Sequence, residues 1–334
     1  MKEYKVTILG ATGAVGMEML KVLQERNFPI SELRLLASSH SAGRQIDTNY
    51  GTITVMEAAD DAFEGMDIVL GAAENNISER FVDAIKASGA TYIDNSSAFR
   101  LDPDVPLVVP EVNPEDAFKN HGVIANPNCS TIITVVAVNA INKLSRINAM
   151  YASTYQAVSG AGIKGPQEMY TQTRNILAGE EIECHTFQHQ IAFNLIPQIG
   201  SFTENGYSKE EMKLQNEGRK IMHLPEMKVS CTCVRVPVER SHSISVDVIT
   251  DERLDLDTVR KAISEAAGCK LVDDPANEIY PMPLDTSNQD LVYVGRIRRD
   301  LVNENGINLW CCGDQVRKGA ATNAVQIAEL LIEK

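Results

Sequence analysis

A strand, a glycine turn and a helix in immediate succession at the start of the chain constrain its fold more than any other feature. Tyr4-Lys5-Val6-Thr7-Ile8-Leu9 reads as the strand and Gly10-Ala11-Thr12-Gly13-Ala14-Val15-Gly16 as the turn. An amphipathic helix follows to about Arg26. Glycines let backbone N–H groups approach a pyrophosphate closely, and the positive end of the helix meets its charge. The spacing is G-x-x-G-x-x-G rather than the commoner G-x-G-x-x-G, so the strand and helix around it carry much of the argument. Gly10, Thr12, Gly13, Ala14, Val15 and Gly16 are expected to cradle a dinucleotide.

The second strand, Leu33 to Ala37, bears on which dinucleotide that is. Folds specific for NAD place an acid at this strand end, about 20 residues past the glycines, to hold the ribose 2′-hydroxyl. Here the run is Ala37-Ser38-Ser39-His40-Ser41-Ala42-Gly43-Arg44. Hydroxyls with a histidine and an arginine suit a 2′-phosphate, so NADP is the expected cofactor, held by Ser38, His40, Ser41 and Arg44 with Ser39 beside them.

Further strands are expected at Asp67–Ala72, Thr91–Asp94, Leu107–Val112 and Val123–Ala125, with a helix over Ser78–Ala87. Such alternation builds a doubly wound parallel sheet. Beyond residue 128 the pattern changes. Longer strand-like runs at Ile147–Val158, Val229–Val238 and Ser243–Ile249 are interleaved with helices at Pro166–Leu177, Glu210–Met222 and Leu256–Ala267. The fold class is therefore α/β, with an N-terminal Rossmann-like doubly wound parallel sheet and a second α+β domain of mostly antiparallel sheet. A chain of 334 residues is long enough for two cores. The expected division is residues 1–128 plus 318–334 for the nucleotide domain and 129–317 for a catalytic and dimerisation domain, the apolar C-terminal helix packing back on the former.

Cys129 lies in Asn126-Pro127-Asn128-Cys129-Ser130-Thr131, where a short apolar strand gives way to a long apolar helix. Unpaired N–H groups and the helix dipole lower the pKa of a thiol in such a place. The other cysteines lack metal-ligand spacing: Cys231-Thr232-Cys233 and Cys311-Cys312 lie in strand-like runs and read as core, and no metal is expected. A net charge of −14 argues against a nucleic-acid or anionic-membrane surface, since both need a basic face. An odd count of seven cysteines, with no signal peptide before the first strand, points to a reducing, cytoplasmic setting.

Seven blocks in one order resemble the aspartate-β-semialdehyde dehydrogenase family, in its bacterial branch. Four of them are residues 10–16, Asp94-Asn95-Ser96-Ser97-Ala98-Phe99-Arg100, Val108-Val109-Pro110-Glu111-Val112-Asn113 and residues 126–131. The others are Ser153–Gly162, Val234–Ser243 and Val294-Gly295-Arg296-Ile297-Arg298. The resemblance implies NADPH-dependent reductive dephosphorylation of L-aspartyl-4-phosphate to aspartate semialdehyde, with release of phosphate. That step leads toward lysine, methionine and threonine. It also implies a homodimer, with pairing of dimers into a homotetramer left open.

By the same resemblance Cys129 is the nucleophile that forms a thioester and His242 the general acid/base. Arg100 and Lys213 contact phosphate, Glu210 suits the substrate amino group, and Gln156 orients the substrate by neutral hydrogen bonding. Arg235 suits the α-carboxylate, which a guanidinium binds bidentately. An odd spacing from Arg235 to His242 on one extended strand would send them to opposite faces, so a bend is required, with Pro237 at hand to make it. Ser159, Gly160 and Gln315 resemble cofactor contacts. The chain departs from the family's pattern at His40, usually Arg, at Gly71–Asn76, usually richer in glycine, and at Gln315, often Asn. The nearest rival, N-acetylglutamyl-phosphate reductase, normally has Gly before the nucleophile and an aromatic after it, where this chain has Asn128 and Ser130. A catalytically silent relative would usually lack Cys129 or His242.

Overall fold

The computed structural model describes residues 2–332. Residues 1, 333 and 334, expected in the nucleotide domain, lie outside the described residues. Packing divides the chain into two units, residues 1–128 with 320–334 and residues 129–319. The return to the first unit thus comes two residues later than 318.

The first unit contains β1 (Tyr4–Leu9), α1 (Ala14–Glu25), β2 (Ile30–Ala37), a hairpin of β3 (Gln45–Thr48) and β4 (Gly51–Thr54), and β5 (Met56–Glu57). It continues with β6 (Ile68–Gly71), α2 (Asn75–Ala87), β7 (Thr91–Asp94) and β8 (Val123–Ala125). One parallel sheet runs β5-β2-β1-β6-β7-β8. Successive strand residues point to opposite faces, and both faces are apolar, as a sheet buried on two sides demands. Val6, Ile8, Leu35, Leu70 and Ile93 pack on one side with Met19 and Leu23 of α1. Leu9, Leu36, Val69 and Tyr92 pack on the other with Phe81 and Ile85 of α2.

The expected strand at Leu107–Val112 does not form. Leu107 alone bridges Ala125. Pro110 has no N–H to give a ladder, and Asn113 folds the segment into a turn, its Oδ1 accepting from Val109 N at 2.9 Å.

The second unit opens with α3 (Cys129–Leu144), followed by β9 (Ile147–Gln156), α4 (Lys164–Ala178), α5 (Lys209–Ile221), β10 (Lys228–Arg235) and β11 (His242–Thr250). Then come α6 (Leu256–Glu265), β12 (Cys269–Leu271), α7 (Pro283–Thr286), β13 (Val292–Arg299) and β14 (Gly306–Gly313). Its sheet runs β10-β9-β11-β14-β13-β12. The three central pairings are antiparallel and the two outer ones parallel. Ile244, Val246 and Val248 of β11 are buried on the face that α3 covers. The chain then makes one wide π-helical turn at Arg317–Ala321. The C-terminal helix, α8 (Thr322–Ile332), puts Ala324, Val325, Ile327 and Ala328 into the core of the first unit beside α1.

Candidate active site

In the first unit the glycine turn has the shape that a pyrophosphate requires. Gly10 has φ +85°, and a Cβ there would lie 2.6 Å from the Ala72 carbonyl oxygen. A Cβ on Gly16 would lie 2.3 Å from the Gly10 oxygen, so α1 can approach β1 only without it. Gly13, the N-cap of α1, is extended. A Cβ there would meet nothing nearer than 3.4 Å, so its outer side is open toward a ligand. These residues fit a dinucleotide phosphate cradle.

The turn after β2 folds back toward the glycines: Ser41 N donates to Ser38 O at 2.9 Å, and Thr12 Oγ1 donates to Ser41 Oγ at 3.3 Å. Ser38 and Ser39 line a cavity of about 320 Å³ together with Gly10, Ile77 and Phe81. His40 and Arg44 are exposed and do not line that cavity. Glu57 does line it. The end of β2 lacks an acid in sequence, yet β5 brings one alongside, because Glu57 is in register with Ala37. Nothing local in the sequence signals this, since a two-residue strand has no readable period.

Arg100 is buried and held from two sides, Nε donating to Asn126 O at 2.9 Å and Nη2 to Asn95 O at 2.8 Å. Asp94, fully buried, accepts from Ser78 Oγ, Tyr92 Oη, Ser96 N and Ser96 Oγ, which fixes the start of the loop that carries Arg100. Asn126 donates to Asn95 Oδ1 at 2.7 Å and accepts from Asn323 Nδ2 at 2.6 Å. The sequence signal for this network is a pair of asparagines inside apolar runs, Ala125-Asn126-Pro127 and Thr322-Asn323-Ala324.

In the second unit Cys129 is the first residue of α3. The π turn packs against it: a Cβ on Gly319 would lie 2.8 Å from the Cys129 Cβ, and Gly319 N donates to Asp314 O at 3.0 Å across the turn. Gln156 ends β9 and Arg235 ends β10, in register in a parallel pair. His242 begins β11. The break between Arg235 and His242 is therefore a strand-to-strand connection over residues 236–241, and both side chains converge on Gly160. A Cβ on Gly160 would meet Arg235 Nη1 at 2.8 Å and His242 Cε1 at 3.3 Å.

Arg235 Nη1 donates to Ala157 O at 2.7 Å, and its guanidinium stands 5.9 Å from the centroid of the Phe187 ring. Burial pulls its pKa down, while Glu210 and then Cys129 pull it up. Glu210 accepts from Lys213 Nζ at 2.8 Å and from Gln156 Nε2 at 3.4 Å. This Glu-x-x-Lys pair is not a solvated face: the Glu210 side chain is only 10% exposed. Gln315 is buried, accepting from Ser241 N at 2.8 Å and donating to Ser159 Oγ. Cys129, Gln156, Ser159, Gly160, Glu210, Lys213, Arg235, His242 and Gln315 thus all belong to this unit.

His242 is fully buried. Burial, then the Arg235 charge, pushes its pKa from 6.5 down to about 3, against the pull of Glu210. Ala157 N donates to Nδ1 at 3.1 Å, so the ring is neutral and carries its proton on Nε2. That Nε2 has no protein partner among the described residues. The arrangement offers one thiol at a helix start, one neutral N–H donor and one buried guanidinium, the parts needed for acyl transfer to a thiol with charge developing on oxygen.

A nucleotide unit joined to such a thiol-bearing unit defines a dehydrogenase of the semialdehyde class. Two family models agree: the NAD binding domain of semialdehyde dehydrogenase matches residues 5–120, and its dimerisation domain matches residues 138–318. Within that class, the chain belongs to the aspartate-semialdehyde dehydrogenase family. It is 49% identical to the aspartate-semialdehyde dehydrogenase of Aquifex aeolicus, over 99% of this chain and 98% of that one. It is 47% identical to that of Synechocystis, with the same coverage. A Vibrio cholerae aspartate semialdehyde dehydrogenase II, solved in complex with ASA, shares 45% identity over 100% of this chain and 99% of that one, with a TM-score of 0.97.

Proposed function

We propose that this enzyme reduces L-aspartyl-4-phosphate to L-aspartate-4-semialdehyde with NADPH, reversibly and through a cysteine thioester. The convergence of Arg235 and His242 on Gly160, in the unit that opens with Cys129, carries the reading. The Cys129 thiolate attacks the acyl carbon, forming the C–S bond as the C–O bond to phosphate breaks. Phosphate leaves against Arg100 and Lys213. NADPH, when bound, supplies a hydride to the thioester carbon. His242 donates a hydrogen bond from Nε2 to the oxygen on which negative charge gathers, and collapse of that oxyanion re-forms the carbonyl, breaks the C–S bond and releases the aldehyde and the Cys129 thiolate. Arg235 holds the substrate α-carboxylate, Glu210 its amino group, and Gln156 its orientation.

The dinucleotide is assigned to residues 10–16, to Ser38, His40, Ser41 and Arg44, and to Ser159, Gly160 and Gln315. The choice of NADP rests on the hydroxyls and basic side chains after β2. Residues 129–319 are assigned to catalysis and dimerisation, and the match to a dimerisation domain supports a homodimer. No two of the seven cysteines form a disulfide, which suits a cytoplasmic enzyme of lysine, methionine and threonine biosynthesis. Among the described residues, no helix is long and apolar enough to cross a membrane.

The test is the reverse reaction: L-aspartate semialdehyde, phosphate and NADP, beside N-acetylglutamate semialdehyde under the same conditions. Phosphate-dependent NADPH formation with the first aldehyde is expected. Turnover with the second alone would refute the substrate.

A further inference from the structure

We propose that Glu57 reads the adenine base of the dinucleotide, its carboxylate accepting a hydrogen bond from the 6-amino group. The inference rests on the reading of the first unit as a dinucleotide site, but not on the choice between NADP and NAD. The cavity of about 320 Å³ opens at the C-terminal edge of the parallel sheet, and the groups along it follow the order of the strands. Gly10 follows β1, Ser38 and Ser39 follow β2, and Glu57 ends β5, one strand further out. Neighbouring strands are about 4.8 Å apart. In a sheet of this kind the pyrophosphate lies at the glycine turn and the adenosine ribose at the end of the second strand. The base is the next group along, and the next strand end is that of β5.

The lining agrees with this order. Ala73, Ile77 and Phe81 offer an apolar surface of the sort that covers the face of a purine, while Glu57 is the one charged residue among those lining the cavity. Glu57 is exposed. A carboxylate is an acceptor only. Adenine presents an amino donor at position 6, whereas hypoxanthine presents a carbonyl oxygen there, which a carboxylate repels. The arrangement therefore selects adenine over hypoxanthine in an otherwise identical dinucleotide.

The test is calorimetric binding of NADP and of nicotinamide hypoxanthine dinucleotide phosphate to the full-length enzyme, with kcat/KM measured alongside. A hydrogen bond to a charged group is worth a factor of about ten or more, so the wild type should bind the adenine form tighter by about that ratio. In Glu57→Gln the amide can turn its NH2 toward the hypoxanthine oxygen, and the ratio should fall to within about twofold. Glu57→Ala should lose the preference as well, with unchanged far-ultraviolet circular dichroism, because an exposed edge residue contributes little to the core. Equal affinities in the wild type, or an undiminished preference in Glu57→Gln, would overturn the proposal. So would a Glu57→Gln variant that alters the NADP to NAD ratio while leaving base preference intact, for the carboxylate would then act at the ribose. Failure of the wild type to bind any of these dinucleotides would instead refute the nucleotide reading, and this proposal with it.

Discussion

The backbone N–H of Ala157 donates to Nδ1 of His242 at 3.1 Å, and this one bond decides which ring nitrogen carries the proton. Ala157 follows directly on β9, whose last residue is Gln156. The strand that supplies a polar contact therefore also fixes the tautomer of the histidine. With burial and Arg235 acting in the same direction, the ring stays neutral down to about pH 3.

That neutrality has a consequence for stability. The folded His242 resists a proton that the unfolded chain accepts below its ordinary pKa of 6.5. Between about pH 6.5 and 3 the unfolded state binds more protons, so stability falls as pH falls, by up to about 1.4 kcal/mol per pH unit from this residue. Above pH 6.5 the contribution is fully present. Urea unfolding of the wild type and of His242→Asn across pH 5 to 7.5 measures it, and the mutant should show the flatter dependence. For catalysis, His242→Ala should lower kcat by about 10²–10⁴. The wild-type pH–rate profile of the free enzyme should have no acid limb near 6.5 belonging to this residue. A loss confined to KM would make His242 a binding residue only.

Alkylation should separate Cys129 from the buried thiols. Hydrogen bonding to Cys233, then burial, raises the pKa of Cys231 far above its ordinary range, burial does the same to Cys311, and Cys312 is pushed up to about 12. Cys184 is exposed and Cys129 partly so. Exposed Cys184 is therefore the competitor of Cys129 for iodoacetamide. Loss of activity should track label on Cys129, as mapped by mass spectrometry. Cys184→Ser should keep activity, and Cys129→Ala should abolish it while dinucleotide binding persists. Inactivation that follows Cys184 would remove Cys129 as nucleophile.

Gly160→Ala is the sharpest probe of the cluster. The added methyl would lie 2.8 Å from Arg235 Nη1, which is pinned by the Ala157 carbonyl and cannot swing away without losing that bond. The backbone at Gly160 does not have positive φ, so folding should tolerate alanine. KM for aspartate semialdehyde should rise at least tenfold, with Tm within a few degrees of wild type. Arg235→Lys should raise the same KM, since one ammonium cannot replace the guanidinium fork. Arg100→Ala should raise the phosphate KM instead. Equal effects on both ligands in both arginine variants would mean that the anion sites are misassigned.

Much of this architecture was legible in the sequence because it is carried by local signals. The glycine turn, the long apolar run after Cys129 and the alternation of strands and helices each rest on residues near one another in the chain. What the sequence did not reveal depends on pairing at a distance. Arg235 and His242 look incompatible on one strand, and become neighbours because the chain leaves β10 and enters β11 between them. Glu57 joins the cavity only through its register with Ala37. Leu107–Val112 has strand composition, yet Pro110 and the Asn113 side chain turn it aside. The tautomer of His242 depends on a backbone donor 85 positions away, and no spacing rule reports that.

The cofactor preference tests the loop after β2. His40 and Arg44 are exposed and follow in the chain on Ser38 and Ser39, which line the cavity. Arginine is always charged and offers more donors than histidine. NADP should be preferred over NAD in the wild type. His40→Arg should strengthen that preference by roughly tenfold, a charge-assisted contact being worth about that much. Arg44→Ala should weaken it. The measurement is the ratio of kcat/KM for the two cofactors in wild type and variants. A ratio that favours NAD would overturn the choice of NADP. A ratio that favours NADP but does not respond to His40→Arg would move the contact to Arg44 and the serines.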